Sequence, residues 1–172
     1  EYCQNQEFAY DPVNNKILAI INDTDPEIAV VGTISGDSIT WGTPVTFTQD
    51  LTTGCEITYD TSRGQFIFLY ADGANANYLT AKTGTISGTT ITFGTPVVVD
   101  SAFSDPTMKA SIVYDPSTDR VAAIFGNNTS GYSKVASISG TSLSFGSRYT
   151  FFPYYCIHCK AVYVPATESI AA

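Results

Sequence analysis

Gly32-Thr33-Ile34-Ser35-Gly36-Asp37-Ser38-Ile39-Thr40-Trp41-Gly42-Thr43-Pro44 decides the fold, because the chain writes it three times. The second copy is Gly84-Thr85-Ile86-Ser87-Gly88-Thr89-Thr90-Ile91-Thr92-Phe93-Gly94-Thr95-Pro96. The third, Ala136-Ser137-Ile138-Ser139-Gly140-Thr141-Ser142-Leu143-Ser144-Phe145-Gly146, has lost the proline. Gly36, Gly88 and Gly140 stand 52 residues apart, as do Trp41, Phe93 and Phe145. A fixed period of that size signals one supersecondary unit stacked on copies of itself. The Ser-Gly pairs read as hairpin tips, where glycine supplies positive φ.

Working outward, each unit opens with a short apolar run ending in Tyr-Asp: Phe8 to Asp11, Ile57 to Asp60 and Ile112 to Asp115. Aspartate at this place starts a turn by accepting hydrogen bonds from nearby backbone N–H groups. A second strand follows over 16–21, 65–70 and 120–125, apolar at almost every position. Such a strand is buried on both faces. A polar tip then leads to the third strand, the repeated hairpin and a fourth strand. Pro44 and Pro96 fall in that fourth strand, and proline cannot donate to a ladder, so it is predicted at an outer edge.

Four short strands per unit of roughly 50 residues leave no room for a helix and make an up-and-down meander, the pattern of a β-propeller blade. The predicted fold is all-β: tandem four-stranded antiparallel blades over 7–52, 55–104 and 110–155, with a partial fourth over 160–172, not closed within this chain and forming one repeat array. The anchoring tyrosines are Tyr10, Tyr59, Tyr114 and Tyr163. A propeller closes with about four blades or more. Three blades and a stump therefore read as part of something larger, or as a chain whose copies complete one another. Glu1-Tyr2-Cys3 shows no signal peptide, as if the chain were already processed or cut from a longer one.

Charged residues are only 14% of the chain, against about 25% in an average domain, so Ser, Thr and Asn carry its polarity. That favours an extracellular, secreted or particle surface. Net charge is −8 with no basic patch, which argues against nucleic acid as a partner. No apolar run approaches the roughly 18 residues of a membrane span.

The units resemble the blade repeats of β-propellers in large surface and phage tail-associated proteins, which carry Gly-Thr-Ile-Ser-Gly-x-x-Ile-Thr-Phe-Gly hairpins. The resemblance covers nearly the whole chain from Phe8 and speaks to fold far more than to activity. Ser35-Gly36-Asp37-Ser38-Ile39-Thr40-Trp41 also resembles a degenerate sialidase Asp-box, one residue short and without its glycine. In that family the box is structural, so it implies no catalysis here.

The repeat tyrosines are either packing anchors or contacts along one rim; anchoring is the commoner role of a strand-end aromatic. Cys3 and Cys156 stand seven residues before a repeat tyrosine, and Cys55 and Cys159 stand four before one. An even count in a charge-poor chain favours disulfides, with Cys3 reaching Cys55, and with Cys156 and Cys159 closing on each other or reaching another blade or chain. Zinc is the rival through Cys156, His158 and Cys159, although no second Cys or His pair stands nearby. A thioredoxin-like role would need a helix N-terminus, which this pattern lacks. Asn22, Asn127 and Asn128 head N-glycosylation sequons on equivalent tips. Asp23, Asp25 and Glu27 could hold calcium, but a solvated loop accounts for them better. His158, the single histidine, supports no Ser/His/Asp set.

The expected function is a non-enzymatic, self-assembling structural module of an extracellular filament, fibre or virion appendage, without cofactor. Its partners would be copies of itself or further blades of a longer parent. Exposed edges template such pairing. A carbohydrate- or receptor-binding, adhesive propeller is the alternative. A fragment of a sialidase-like glycoside hydrolase comes third, because that chemistry wants an arginine cluster beside two carboxylates, and Arg63, Arg120 and Arg148 are scattered along the chain.

Overall fold

A computed structural model describes residues 6–22, 26–50, 55–103 and 110–172. Three antiparallel sheets follow one another along the chain. The first contains β1 (Glu7–Asp11), β2 (Lys16–Ile21), β3 (Glu27–Ser35), β4 (Ser38–Trp41) and β5 (Val45–Thr48). The second contains β6 (Glu56–Asp60), β7 (Gln65–Asp72), β8 (Tyr78–Ser87), β9 (Thr90–Phe93) and β10 (Val97–Asp100). The third contains β11 (Ser111–Asp115), β12 (Arg120–Gly126), β13 (Gly131–Ser139), β14 (Ser142–Phe145) and β15 (Tyr149–Phe152). A two-stranded sheet, β16 (Val162–Val164) with β17 (Ser169–Ala171), comes last. A single 3-10 turn, Gly73–Asn75, is the one helical element among the described residues.

Local chemistry sets each turn. The carboxylates of Asp11, Asp60 and Asp115 each accept the backbone N–H groups two and three residues on. The fifth residue of each turn is left-handed: Asn15, Gly64, Asp119 and, in the last sheet, Glu168. Gly36, Gly88 and Gly140 have φ between 56° and 63° at the first of two hairpin-tip positions, where a type II′ turn needs glycine.

The fourth strand departs from expectation. It is two segments, both paired with the third strand: β4 and β5 on β3, β9 and β10 on β8, β14 and β15 on β13. Pro44 and Pro96 lie in the gap rather than in a strand. Proline does not force the gap, because the third unit breaks at Gly146-Ser147-Arg148 without one. In all three, the glycine after the aromatic donates its N–H back to the third strand: Gly42 to Val31, Gly94 to Thr83 and Gly146 to Val135, at 2.8–3.0 Å.

The sheets pack face to face. Along β7 the side chains alternate: Phe66, Phe68 and Tyr70 join Leu18, Ile20, Val31 and Phe47 of the first sheet. Ile67, Leu69 and Ala71 join Val121, Ala123 and Phe125 of the third. Period-two alternation with both sides apolar therefore gives two cores from one strand. Behind the third sheet, Val113, Ala122 and Ile124 are covered by Cys159, Ala161, Tyr163 and Ile170.

Each sheet thus has a leading face toward the preceding unit and a trailing face toward the next. The inner strands also converge. Lys160, just before β16, places its ammonium 2.6 Å from both carboxylate oxygens of Glu56 at the start of β6. Sheets stacked in parallel at about 10 Å would separate those units by about 20 Å, beyond the reach of a lysine. The ion pair therefore brings the start of the last unit within a side chain's reach of the second.

Close approach between units explains the glycine after the first two aromatics. A Cβ on Gly42 would lie 2.3 Å from the carbonyl oxygen of Thr89, and one on Gly94 would lie 2.8 Å from that of Thr141. Each of these carbonyls belongs to the next unit's hairpin tip. At Gly146 the nearest atom would be 3.5 Å away, in the same sheet. Gly94→Ala should cost about 1–3 kcal/mol through overpacking, and Gly146→Ala should stay within about 0.5 kcal/mol, as read by urea unfolding.

Candidate functional site

The repeat tyrosines come from equivalent positions of β1, β6, β11 and β16. Tyr59 donates its hydroxyl to Asp11 Oδ1 of the preceding unit at 2.6 Å, and its ring meets Phe66 edge-on at 5.0 Å. Tyr114 shares a 2.6 Å hydrogen bond with Ser62 of the preceding unit and donates to Asp119 at 2.9 Å. Tyr163 packs against the core behind the third sheet. Tyr10, in the first unit, is half exposed and bonds Asn15 of its own turn. Burial and the Asp11 carboxylate push the Tyr59 phenol up. Burial opposes ionisation of Asp11, but hydrogen bonds from Tyr59, Asn14 and the turn backbone outweigh it and hold that carboxyl below its usual range. In Tyr59, Tyr114 and Tyr163 the rings act mainly as junction anchors.

Other polar side chains tie the units together. Arg63 forks onto Asp119 of the next unit at 2.7 and 2.6 Å and reaches its own Asp60 at 3.1 Å. Its guanidinium, with the Tyr114 hydroxyl, holds the Asp119 carboxyl down at about 2. Gln65 donates to the carbonyl of Gly140 at 3.1 Å. Lys82 is buried between the first two sheets. Its ammonium lies 3.8 Å from the Phe47 ring centroid and 4.4 Å from that of Phe93, and donates to the Phe47 carbonyl. Lys134 repeats the motif one unit on, donating to the Val99 carbonyl. Both lysines escaped the sequence reading, although they stand 52 residues apart, the period of the hairpins.

At the convergence of the inner strands, a cleft of about 180 Å³ is lined by Glu56, His158, Cys159 and Lys160. Burial, with Glu56 nearby, raises the Glu7 carboxyl, and Lys160 partly offsets this. Burial, then the hydrogen bond with Cys156, pushes the Cys159 thiol up, away from thiolate character. No disulfide is found among the described residues, and Cys3 lies outside them. Cys55 and Cys159 are buried free thiols, and the sulfurs of Cys156 and Cys159 are 3.1 Å apart. Cys55 and Cys159 occupy the position held in the third unit by Ala110, which also packs against core. There they serve as small hydrophobes.

Among the described residues no three His, Cys, Asp or Glu side chains converge as metal ligands, so Cys156, His158 and Cys159 do not form such a set. Asp23 and Asp25 lie outside the described residues, and Glu27 is buried at the start of β3. Asn22 and Asn127 follow β2 and β12, on equivalent connections. The Asn127 side-chain oxygen accepts from Thr129 and Ser130 in a local turn, whereas Asn128 is exposed. Asp37 stands on an exposed hairpin tip.

The arginines do not gather on one site. Arg63 and Arg120 share Asp119, whereas Arg148 pairs with Asp100 at 3.5 Å and lies over the Tyr132 ring. Among the described residues no helix is long and apolar enough to cross a membrane. Comparison with protein-family models gives no match, and neither does comparison with curated proteins.

Burial lowers the Lys82 ammonium from its ordinary 10.5 to about 8. Between those values the unfolded chain binds the extra proton, so this residue makes stability rise as pH increases. Buried tyrosines and cysteines act in the opposite direction, so the signal lies in a difference. Wild type should gain stability relative to Lys82→Met from pH 8 to 10, by an amount on the order of 2 kcal/mol. Paired urea titrations would show it, and parallel pH profiles would contradict it.

Proposed function

We propose that this chain is a run of β-propeller-type blades, three and the start of a fourth, serving as a non-enzymatic, self-assembling structural module of an extracellular fibre, filament or particle surface. The Lys160–Glu56 pair supports the propeller reading, since it draws non-adjacent units together at their inner strands. Among the described residues the polar side chains that stand out are spent on tying units together. Arg63, Gln65, Lys82, Lys134 and Tyr59 each bond an adjacent unit.

One observation carries the assembly reading: burial at equivalent positions changes at the ends of the array. Ile91 and Leu143 are 3% and 6% exposed, whereas Ile39 at the same position of the first unit is 43% exposed. Apolar sheet faces of that kind are sites of association.

A glycan-binding reading rests on a different feature, the exposed Tyr149, Tyr154 and Tyr155 in one short segment. Amphipathic rings of that kind make contact surfaces at low entropic cost.

Sedimentation velocity over a range of concentrations tests the first reading, with electron microscopy of the product. Oligomers that grow with concentration are expected. A monomer at every concentration that is retained on a glycan array would favour the second reading.

A further inference from the structure

The contacts between units leave one motif of the sequence unused, Cys156-Ile157-His158-Cys159. It lies in residues 153–161, the longest run without a strand among the described residues. That run carries the chain from β15, on the outer side of the third sheet, to β16, the first strand of the last sheet.

Both ends of the motif are tied down. The Cys156 N–H donates to the Asn127 carbonyl at 3.2 Å. The Cys156 carbonyl passes so close to the end of β12 that a Cβ on Gly126 would collide with it. Cys159 is 7% exposed and packs with Val113, Ala122 and Ile124 behind the third sheet. Two residues on, the Ala161 N–H donates to Ser111 Oγ at 3.1 Å.

Between these anchors the two sulfurs stand 3.1 Å apart. Carbon atoms, which are smaller, pack at about 3.5–4.0 Å. The gap is only about 1 Å longer than a disulfide bond. Cys55 is placed differently. It is buried in the first junction, and its thiol donates to the neighbouring Glu56 carbonyl at 3.5 Å. Among the described residues no second sulfur meets it.

We propose that Cys156 and Cys159 are a redox-active pair that closes to a disulfide within one chain and clamps the crossing from the third sheet to the last. The pairing needs no other blade and no second copy, so it stands apart from the assembly reading. The reaction is exchange with a small-molecule disulfide such as oxidised glutathione. Cys156, the more exposed of the two, attacks one sulfur of the oxidant as its thiolate. One glutathione leaves as the thiol, taking up a proton, and the other stays joined to Cys156. The Cys159 sulfur then attacks the Cys156 sulfur, and the second glutathione leaves with the equivalent of the Cys159 proton. Two protein S–H bonds and the oxidant's S–S bond are broken. One protein S–S bond and two glutathione S–H bonds form, and two electrons pass from protein to oxidant. The ring joins a residue held at the end of β12 to one held behind β11. It is a short ring, so its stabilisation lies at the low end for a disulfide.

Trypsin tests the pairing, because cleavage after Arg148 and Lys160 leaves both cysteines in one peptide, 149–160. Once folded wild type has met oxidised glutathione, that peptide should be lighter by two hydrogens and carry no glutathione. Cys159→Ala should keep glutathione on Cys156; alanine already holds the equivalent position at Ala110. Cys156→Ser should react at least about tenfold more slowly, because the remaining thiol is buried. Circular dichroism verifies the folding of both variants. Oxidised wild type should unfold at a higher urea midpoint than reduced wild type, a difference absent from Cys159→Ala.

Glutathione that stays on Cys156 of wild type would overturn the pairing, as would a bond from either cysteine to Cys55, to Cys3 or to a second chain. Closure of the pair with an unchanged urea midpoint would overturn the clamp and leave the pairing standing. No reaction at either cysteine would overturn both.

Discussion

The rest of the structure depends on the two-sided burial of each sheet's second strand. Phe66, Phe68 and Tyr70 go one way and Ile67, Leu69 and Ala71 go the other. Such a sheet has no face to give to water. It needs a neighbour on each side, and each neighbour has the same need. Stability in such a stack is close to a sum of unit and junction terms. Aromatic contacts concentrate at the first junction, where Phe47 meets Phe68, Tyr70 and Phe93 at 5.2–5.4 Å. The second junction is filled largely by aliphatic side chains instead, around Phe103 and Phe125.

Apolar burial is non-directional, so it does not fix how one sheet is set against the next. The polar ties do that. Lys82 and Lys134 each reach a carbonyl on the outer strand of the preceding sheet, and Arg63 and Gln65 each reach the following unit near its turns. A sheet slid by one residue would leave the buried Lys82 ammonium without its carbonyl partner, at a cost of several kcal/mol. The glycines at 42 and 94 add a steric condition, since only a residue without a side chain lets the next hairpin tip come so near.

What could be read in the sequence was local. Period, hairpin tips, Asp-initiated turns and strands apolar on both sides each depend on residues within a few positions of one another, and the structure has them all. Contacts between units depend on which faces meet, and one unit's sequence does not contain that. The break in the fourth strand coincides with a backbone hydrogen bond at Gly42, Gly94 and Gly146, and only two of the three breaks have a proline beside them. The lysines were visible in principle as a second signal at the hairpin period. Of the cysteines, Cys55 and Cys159 hold equivalent buried positions, shared with Ala110, where a small side chain fits. The Glu56–Lys160 pair joins residues more than a hundred positions apart, and no short-range pattern announces it.

Stacks of repeats that stand alone end in units whose outer faces are polar, because a terminal face has water as its neighbour. The first unit here is built the other way. Position by position its leading face keeps the apolar residues of the inner units, and where those units have a lysine it has Val30. A capping unit would place charge at that position and polar groups where Phe8, Ile39 and Trp41 stand. The chemistry of that face is therefore that of an internal junction. The same logic separates the two ends. At the C-terminal side the inner strands carry a covering hairpin, and the exposed apolar side chains are Val135 and Phe151 on the outer half of the third sheet and Val162 on β16.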